Sequence, residues 1–121
     1  MIYKDADIYI EWEESEIPWI KIFTCTPYKE ITECPKTLRA KLWKTYEIAE
    51  EMMIEYFKPD KINMASFGNY MPRVHIHVMA RFENDSFFPE PMWGERQREG
   101  NVVLPDFALF EAILLEKLRR I

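Results

Sequence analysis

The chain has 121 residues and a mass of 14.7 kDa, which at roughly 100–200 residues per domain leaves room for one compact domain over residues 1–121. Hydrophobic residues make up 48%, aromatic residues 15% and charged residues 31%, with Gly 3 and Pro 8, so a collagenous or linker-like polymer is excluded and enough surface can be buried to offset chain entropy. Against 21 acidic groups stand 16 basic ones, a net charge of −5 with a pI near 5.1, which argues against delocalised binding to duplex nucleic acid and leaves a small phosphate ligand open. No apolar run approaches the ~20 residues of a bilayer span, so no membrane partner is expected. The opening Met1-Ile-Tyr-Lys-Asp-Ala-Asp7 lacks the basic start and apolar stretch of a secretory signal, and the chain is read as cytoplasmic. Cys25 and Cys34 match no zinc or redox spacing and read as buried thiols, with one disulfide as the alternative.

Ile8, Ile10 and Trp12 alternate with Asp7, Tyr9 and Glu11, which predicts a strand. The acidic, proline-bearing stretch that follows turns it into a second β-rich run from Trp19 to Thr26, and a hairpin results. Residues 27–35 read as an irregular connector ending in Pro35, which suits the first position of a helix because its missing N–H does no harm there. Leu38, Leu42, Tyr46, Ala49, Met52, Met53, Tyr56 and Phe57 recur at three- and four-residue steps, so a long amphipathic helix runs to Pro59. Lys61 to Phe67 reads as a strand, Gly68 to Pro72 as a turn, and Arg73 to Phe82 as the longest strand, at the centre of the sheet. Residues 83–100 are polar and broken, with Phe87, Phe88 and Trp93 expected to be exposed beside two prolines. Pro105 and Asp106 open a last helix whose Phe107, Phe110, Leu114 and Leu118 share a face. This order of elements predicts an antiparallel α+β domain.

The chain's two histidines fall in one pentapeptide, Arg73-Val74-His75-Ile76-His77. The strand period of two puts Arg73, His75, His77, Met79 and Arg81 on one face and Val74, Ile76, Val78, Ala80 and Phe82 on the other. Two imidazoles about 7 Å apart at their Cα atoms, flanked by guanidinium groups, form a small cationic patch. A neutral imidazole nitrogen is nucleophilic near pH 7, and the phosphoramidate it forms is open to water. The other ring nitrogen must be held as a donor, which a backbone carbonyl can do, while Arg73, His77 and Asn69 are the donors in reach of phosphate oxygens. Two histidines at this spacing also suit one zinc. No third ligand is marked by spacing and two arginines on the same face would repel a dication, so neither a metal nor another cofactor is expected.

Arg73-Val74-His75-Ile76-His77-Val78-Met79 resembles the His-φ-His-φ-His-φ-φ signature, φ being apolar, of the histidine triad (HIT) superfamily of nucleotide hydrolases and transferases. The stretch from Lys61 to Asn69, Pro72, Arg81, and Pro89-Glu-Pro-Met-Trp-Gly94 are similar to a bacterial branch of small HIT proteins related to diadenosine polyphosphate hydrolases. The resemblance implies a HIT-like fold, a five-stranded antiparallel sheet with a long central helix and a C-terminal helix, paired as a homodimer and binding a purine nucleotide by its α-phosphate. It implies catalysis by His75 and His77, with His75 as the nucleophile that forms a nucleotidyl-histidine intermediate. It places Asn69 and Asn63 at polar contacts to the nucleotide and implies that the carbonyl of residue 73 orients the nucleophile's ring, while the Arg73 side chain is read from its charge as a further substrate-binding donor. Acids after the first strand often hold ribose hydroxyls in members, which makes Glu13 or Glu14 a candidate for that contact with a solvated charge as the alternative, and Trp93 reads as a lid or dimer contact, or as plain packing. Arg73 departs from the first histidine of the signature and Ala80 from a proline common before the arginine. Dinucleoside polyphosphates and nucleoside phosphoramidates both fit as substrates, and the rival reading is a non-catalytic homodimer that holds a nucleotide or docks a partner.

Overall fold

Side-chain parity decides which face of the sheet meets the helices. In the computed structural model, which describes residues 1–121, five strands run β1 (Tyr3–Lys4), β2 (Ile8–Trp12), β3 (Trp19–Thr24), β4 (Lys61–Ala65) and β5 (His75–Arg81), with α1 (Lys36–Phe57) and α2 (Phe107–Leu118). All neighbouring strands are antiparallel, in the order β1-β2-β3-β5-β4. The protein is thus the α+β molecule that the element order predicts, with the five-stranded sheet, long helix and C-terminal helix that the family resemblance implies. Ile8 and Ile10 of β2, Ile20 and Ile22 of β3, Ile62 of β4 and Ile76, Val78 and Ala80 of β5 form one apolar face. Leu42, Ala49, Met53 and Phe57 of α1 and Phe110, Leu114 and Leu118 of α2 pack on it.

Several boundaries differ from expectation for local reasons. Pro35 caps α1 from outside, its carbonyl accepting the Arg39 N–H at 3.0 Å, so the helix proper starts at Lys36. At the other end Lys58 takes the left-handed conformation with φ 51°, and its N–H closes on the Ile54 carbonyl before Pro59. A short 3₁₀ turn, Ile31–Glu33, breaks the connector, and β1 is too short for alternation to reveal. The histidine strand begins at His75 because the N–H groups of Arg73 and Val74 turn instead to the carbonyls of Met71 (2.7 Å) and Tyr28 (2.8 Å). Asp106 caps α2 by accepting the Ala108 N–H at 3.0 Å.

The sheet's other face carries the histidines, and one ion pair fastens the chain that covers it. Arg81 and Asp85 are 1% and 0% exposed. The Asp85 carboxylate accepts from Arg81 Nε at 2.9 Å and Nη2 at 3.1 Å, and from the N–H groups of Phe82, Phe87 and Phe88 at 2.8–3.0 Å. Arg81 also donates to Asn63 Oδ1 at 2.9 Å and to the Glu90 carbonyl at 2.7 Å, and lies 5.7 Å from the Phe88 ring centroid. Arg81 is therefore a buried tie between β4, β5 and the segment leading to Trp93, not a member of an open cationic patch. Phe87 and Phe88 are half-buried, and only Trp93 of the three aromatics expected in solvent is exposed, at 48%.

Burial by itself would raise the Asp85 carboxyl, but the Arg81 guanidinium and the three N–H donors outweigh it and hold it below the usual carboxylate range. The stability from this shift is present above the unfolded carboxyl value of about 3.9 and is lost as pH falls through the lower folded value. Replacing Asp85 with alanine leaves a buried guanidinium unpaired, and urea denaturation at neutral pH should show a loss of roughly 3–5 kcal/mol.

Candidate active site

Ladder register assembles the site. On β5, His75 faces Phe23 and His77 faces Lys21 across β3, while Ala65 of β4 lies opposite His77 on the other side. Both imidazoles are 8% exposed, with ring centroids 5.1 Å apart and planes at 68°. They line a cavity of about 420 Å³ together with Phe67, Gly68, Asn69, Tyr70, Met71 and Trp93, within the ordinary size for a small-molecule site. Gly68 makes the turn that carries Asn69 to Met71 along the rim, with φ of 82°, a region side chains other than glycine seldom enter.

Each imidazole has one nitrogen held by the protein. His75 Nδ1 lies 2.9 Å from the Arg73 carbonyl; a carbonyl only accepts, so Nδ1 carries the proton and the neutral ring presents its lone pair on Nε2. Ser66 Oγ donates to the His75 carbonyl at 2.7 Å, and the ring stacks on Phe23 at 5.4 Å and 20°. At His77 the polarity is reversed. Trp19 Nε1 donates to Nδ1 at 3.0 Å; an indole N–H only donates, so the His77 proton sits on Nε2. Neither Nε2 has a protein partner. The two rings thus offer the cavity a nucleophilic nitrogen beside an N–H donor.

His77 is further enclosed by aromatic edges, with Trp19 at 5.7 Å, Trp93 at 5.0 Å and Phe67 at 6.2 Å between centroids. Trp93 contacts Trp19 and Phe67 as well, at 5.2 and 4.8 Å. Burial, the neighbouring His75 and the Lys21 ammonium together push the His77 imidazole down to about 4, against a smaller pull from Glu13.

The other sequence-predicted residues fall into two groups. Asn69 stands exposed on the rim of the histidine cavity. Asn63 is drawn aside, its Oδ1 accepting from Arg81, and it lines an adjoining hollow with Met79, Met92 and Trp93. The Arg73 guanidinium lies beside the cavity rather than in its lining: it sits 5.7 Å over both the Tyr9 and Phe23 rings and donates to the Thr24 carbonyl. Those two rings are themselves stacked at 4.6 Å. Glu13 pairs with Lys21 at 3.4 Å, and Glu14 belongs to a separate hollow near Trp12 and Phe107. Cys25 and Cys34 are free thiols, Cys34 buried and Cys25 half-buried. No third histidine, cysteine or carboxylate joins the two imidazoles in a metal-binding group. Sequence reasoning missed Trp19, Phe23, Ser66 and Phe67. For Trp19 and Phe23 a signal existed: they alternate on β3 with the parity that faces His75 and His77.

The HIT domain family matches residues 2–84. The chain belongs to the HIT domain family. Solved HIT structures share its fold across nearly its whole length. A histidine triad protein from Marinobacter aquaeolei VT8 superposes with a TM-score of 0.78 at 27% identity, covering 97% of this chain and 88% of that one. One from Bradyrhizobium japonicum gives 0.74 at 25% identity, with 98% and 87% covered. One from Sinorhizobium meliloti 1021 gives 0.74 at 26% identity, with 95% and 86% covered. No curated protein matches the sequence. HIT membership supports a nucleotide-binding or nucleotide hydrolase or transferase role. No helix of this HIT-domain chain is long and apolar enough to cross a membrane.

Unfolded His77 takes up a proton near its ordinary 6.5, whereas the folded residue does so only near about 4. The unfolded state therefore binds more protons between those values, and the His77 contribution is complete above about pH 6.5 and lost as pH falls toward about 4. Urea midpoints measured from about pH 7 down to about pH 5 should fall more steeply for the natural protein than for His77→Gln.

Proposed function

We propose that this protein is a nucleotide hydrolase or nucleotidyl transferase, acting as one domain at the α-phosphate of a purine nucleotide through a covalent intermediate on His75. The observation that carries the reading is the pair of oppositely protonated imidazoles at 5.1 Å on one cavity wall. In-line displacement at phosphorus needs a lone pair aimed at the atom and a donor on the oxygens where charge accumulates. His75 Nε2 supplies the first and His77 Nε2–H the second, with Asn69 available from the rim.

The His75 lone pair forms an N–P bond while the bond from phosphorus to the bridging atom breaks, its electron pair leaving with the departing group. The ring then bears phosphorus on Nε2 and hydrogen on Nδ1, a cation that the Arg73 carbonyl at 2.9 Å stabilises. Water next attacks phosphorus on the opposite side, the N–P pair returns to Nε2, a proton passes to solvent and the nucleoside monophosphate departs. Arg73 serves this sequence through its backbone carbonyl, a role that does not need a histidine side chain at position 73. Its guanidinium, held over Tyr9 and Phe23, contributes positive potential beside an anionic ligand.

His75→Ala should lose turnover of a dinucleoside polyphosphate by about a thousandfold or more while still binding the nucleotide. Quenched reactions of the natural protein with labelled substrate should show the mass of one nucleotidyl group on His75. Unchanged turnover in the variant overturns the assignment, and nucleotide binding with neither adduct nor turnover leaves the non-catalytic binder.

A further inference from the structure

Trp19 is the one side chain that reaches an imidazole of the site from another strand with a polar atom, and its consequence lies in what His77 cannot do. We propose that Trp19 is a specificity-determining residue: by capping Nδ1 of His77 it withholds a general acid from the site, and so restricts turnover to α-phosphate substrates whose leaving group departs as a stable anion. A phosphoanhydride meets that condition and an amine does not. The inference rests on the nucleotidyl-transfer reading above and selects between the two substrate classes it leaves open.

To act as an acid, His77 would need a proton on each nitrogen. The second would have to sit on Nδ1, in the 3.0 Å gap already filled by the Trp19 N–H. The indole is not free to swing away. It is 9% exposed, packs with Ile17 and Met79, and meets the edge of Trp93 at 5.2 Å. The neutral ring's one proton, on Nε2, can stabilise an oxygen, but giving it up would leave an imidazolate. The surroundings do not reverse this. Lys21 of β3 and His75 of β5 oppose added positive charge, and the one facing carboxylate, Glu13, is paired with Lys21 at 3.4 Å. From β4, the rim and the 89–94 segment come Ala65, Phe67, Gly68, Asn69, Tyr70, Met71 and Trp93, with no carboxylate among them. Tyr70, the one other titratable group lining the cavity, projects fully into solvent. The His75 Nδ1 proton is engaged by the Arg73 carbonyl.

When the bond from phosphorus to a bridging oxygen of a polyphosphate breaks, the electron pair stays on a phosphate anion that needs no proton. When the bond to an amine nitrogen breaks, the pair stays on a nitrogen that must be protonated to leave, and no group here delivers that proton. General acid assistance is worth about 10²–10⁴ in rate. The natural protein should therefore turn over diadenosine tetraphosphate and the p-nitrophenyl ester of adenosine monophosphate with kcat/KM about 100-fold or more above that for an adenosine monophosphate alkylamidate. In Trp19→Phe, Nδ1 is uncapped. Amidate turnover relative to the natural protein should rise at mildly acidic pH, narrowing the gap. Nitrogen-15 spectra of the natural protein test the same cap without turnover: His77 should appear as the Nε2–H tautomer with an unprotonated Nδ1 through neutral pH. Comparable kcat/KM on amidate and anhydride, or a His77 protonated on Nδ1 at neutral pH, overturns the inference and leaves the proposed function standing. Absence of turnover on every substrate overturns the proposed function and this inference with it.

Discussion

Two hydrogen bonds of opposite sense set the character of this site. The Arg73 carbonyl can only accept and the Trp19 indole can only donate, so neighbouring rings on one strand are locked with their protons on different nitrogens. Chemically identical side chains acquire different roles from their partners alone. One faces the cavity with a lone pair and the other with a donor. The short spacing that brings the rings together would otherwise set two like groups competing for protons, and the caps remove that ambiguity.

Holding this arrangement requires a cover as well as a sheet. The apolar face packs against α1 and α2 and gives β5 a fixed bed, every one of its residues being buried. The opposite face would expose His77 to water if the chain after β5 wandered. Arg81 and Asp85 prevent that: one buried carboxylate gathers a guanidinium and three backbone N–H groups, and the same guanidinium reaches the Glu90 carbonyl just before Trp93. Trp93 is thereby set edge-on to both Trp19 and His77. The stability of the fold and the enclosure of His77 are thus linked through a single ion pair whose residues lie outside the lining of the histidine cavity. The other flank is built from the stacked Tyr9, Phe23 and His75 rings with Arg73 above them, so the nucleophile is braced on its face and tethered at its nitrogen.

Strand parity and helix periodicity were legible in the sequence, and with them four of the five strands, both helices and the face shared by His75 and His77. These follow from rules that act between residues a few positions apart, and a repeat of two or of 3.6 survives whatever the rest of the chain does. The likeness of the histidine strand to the HIT signature was legible for the same reason, since its spacing is local. The arginines were not. Arg73 and Arg81 carry equal charge and equal parity, yet one lies over aromatic rings and the other is buried against Asp85. Asn63, four residues from Phe67 in sequence, turned out to be spent on Arg81. What the sequence determined alone was which side chains would share a surface. Which of them would be neutralised, capped or left facing the cavity depended on contacts such as Trp19 to His77, separated by 58 positions. Only the ladder register and the packing of the 89–94 segment bring such groups together, because a hydrogen bond is decided within a few tenths of an ångström and no periodicity fixes position that finely across the chain.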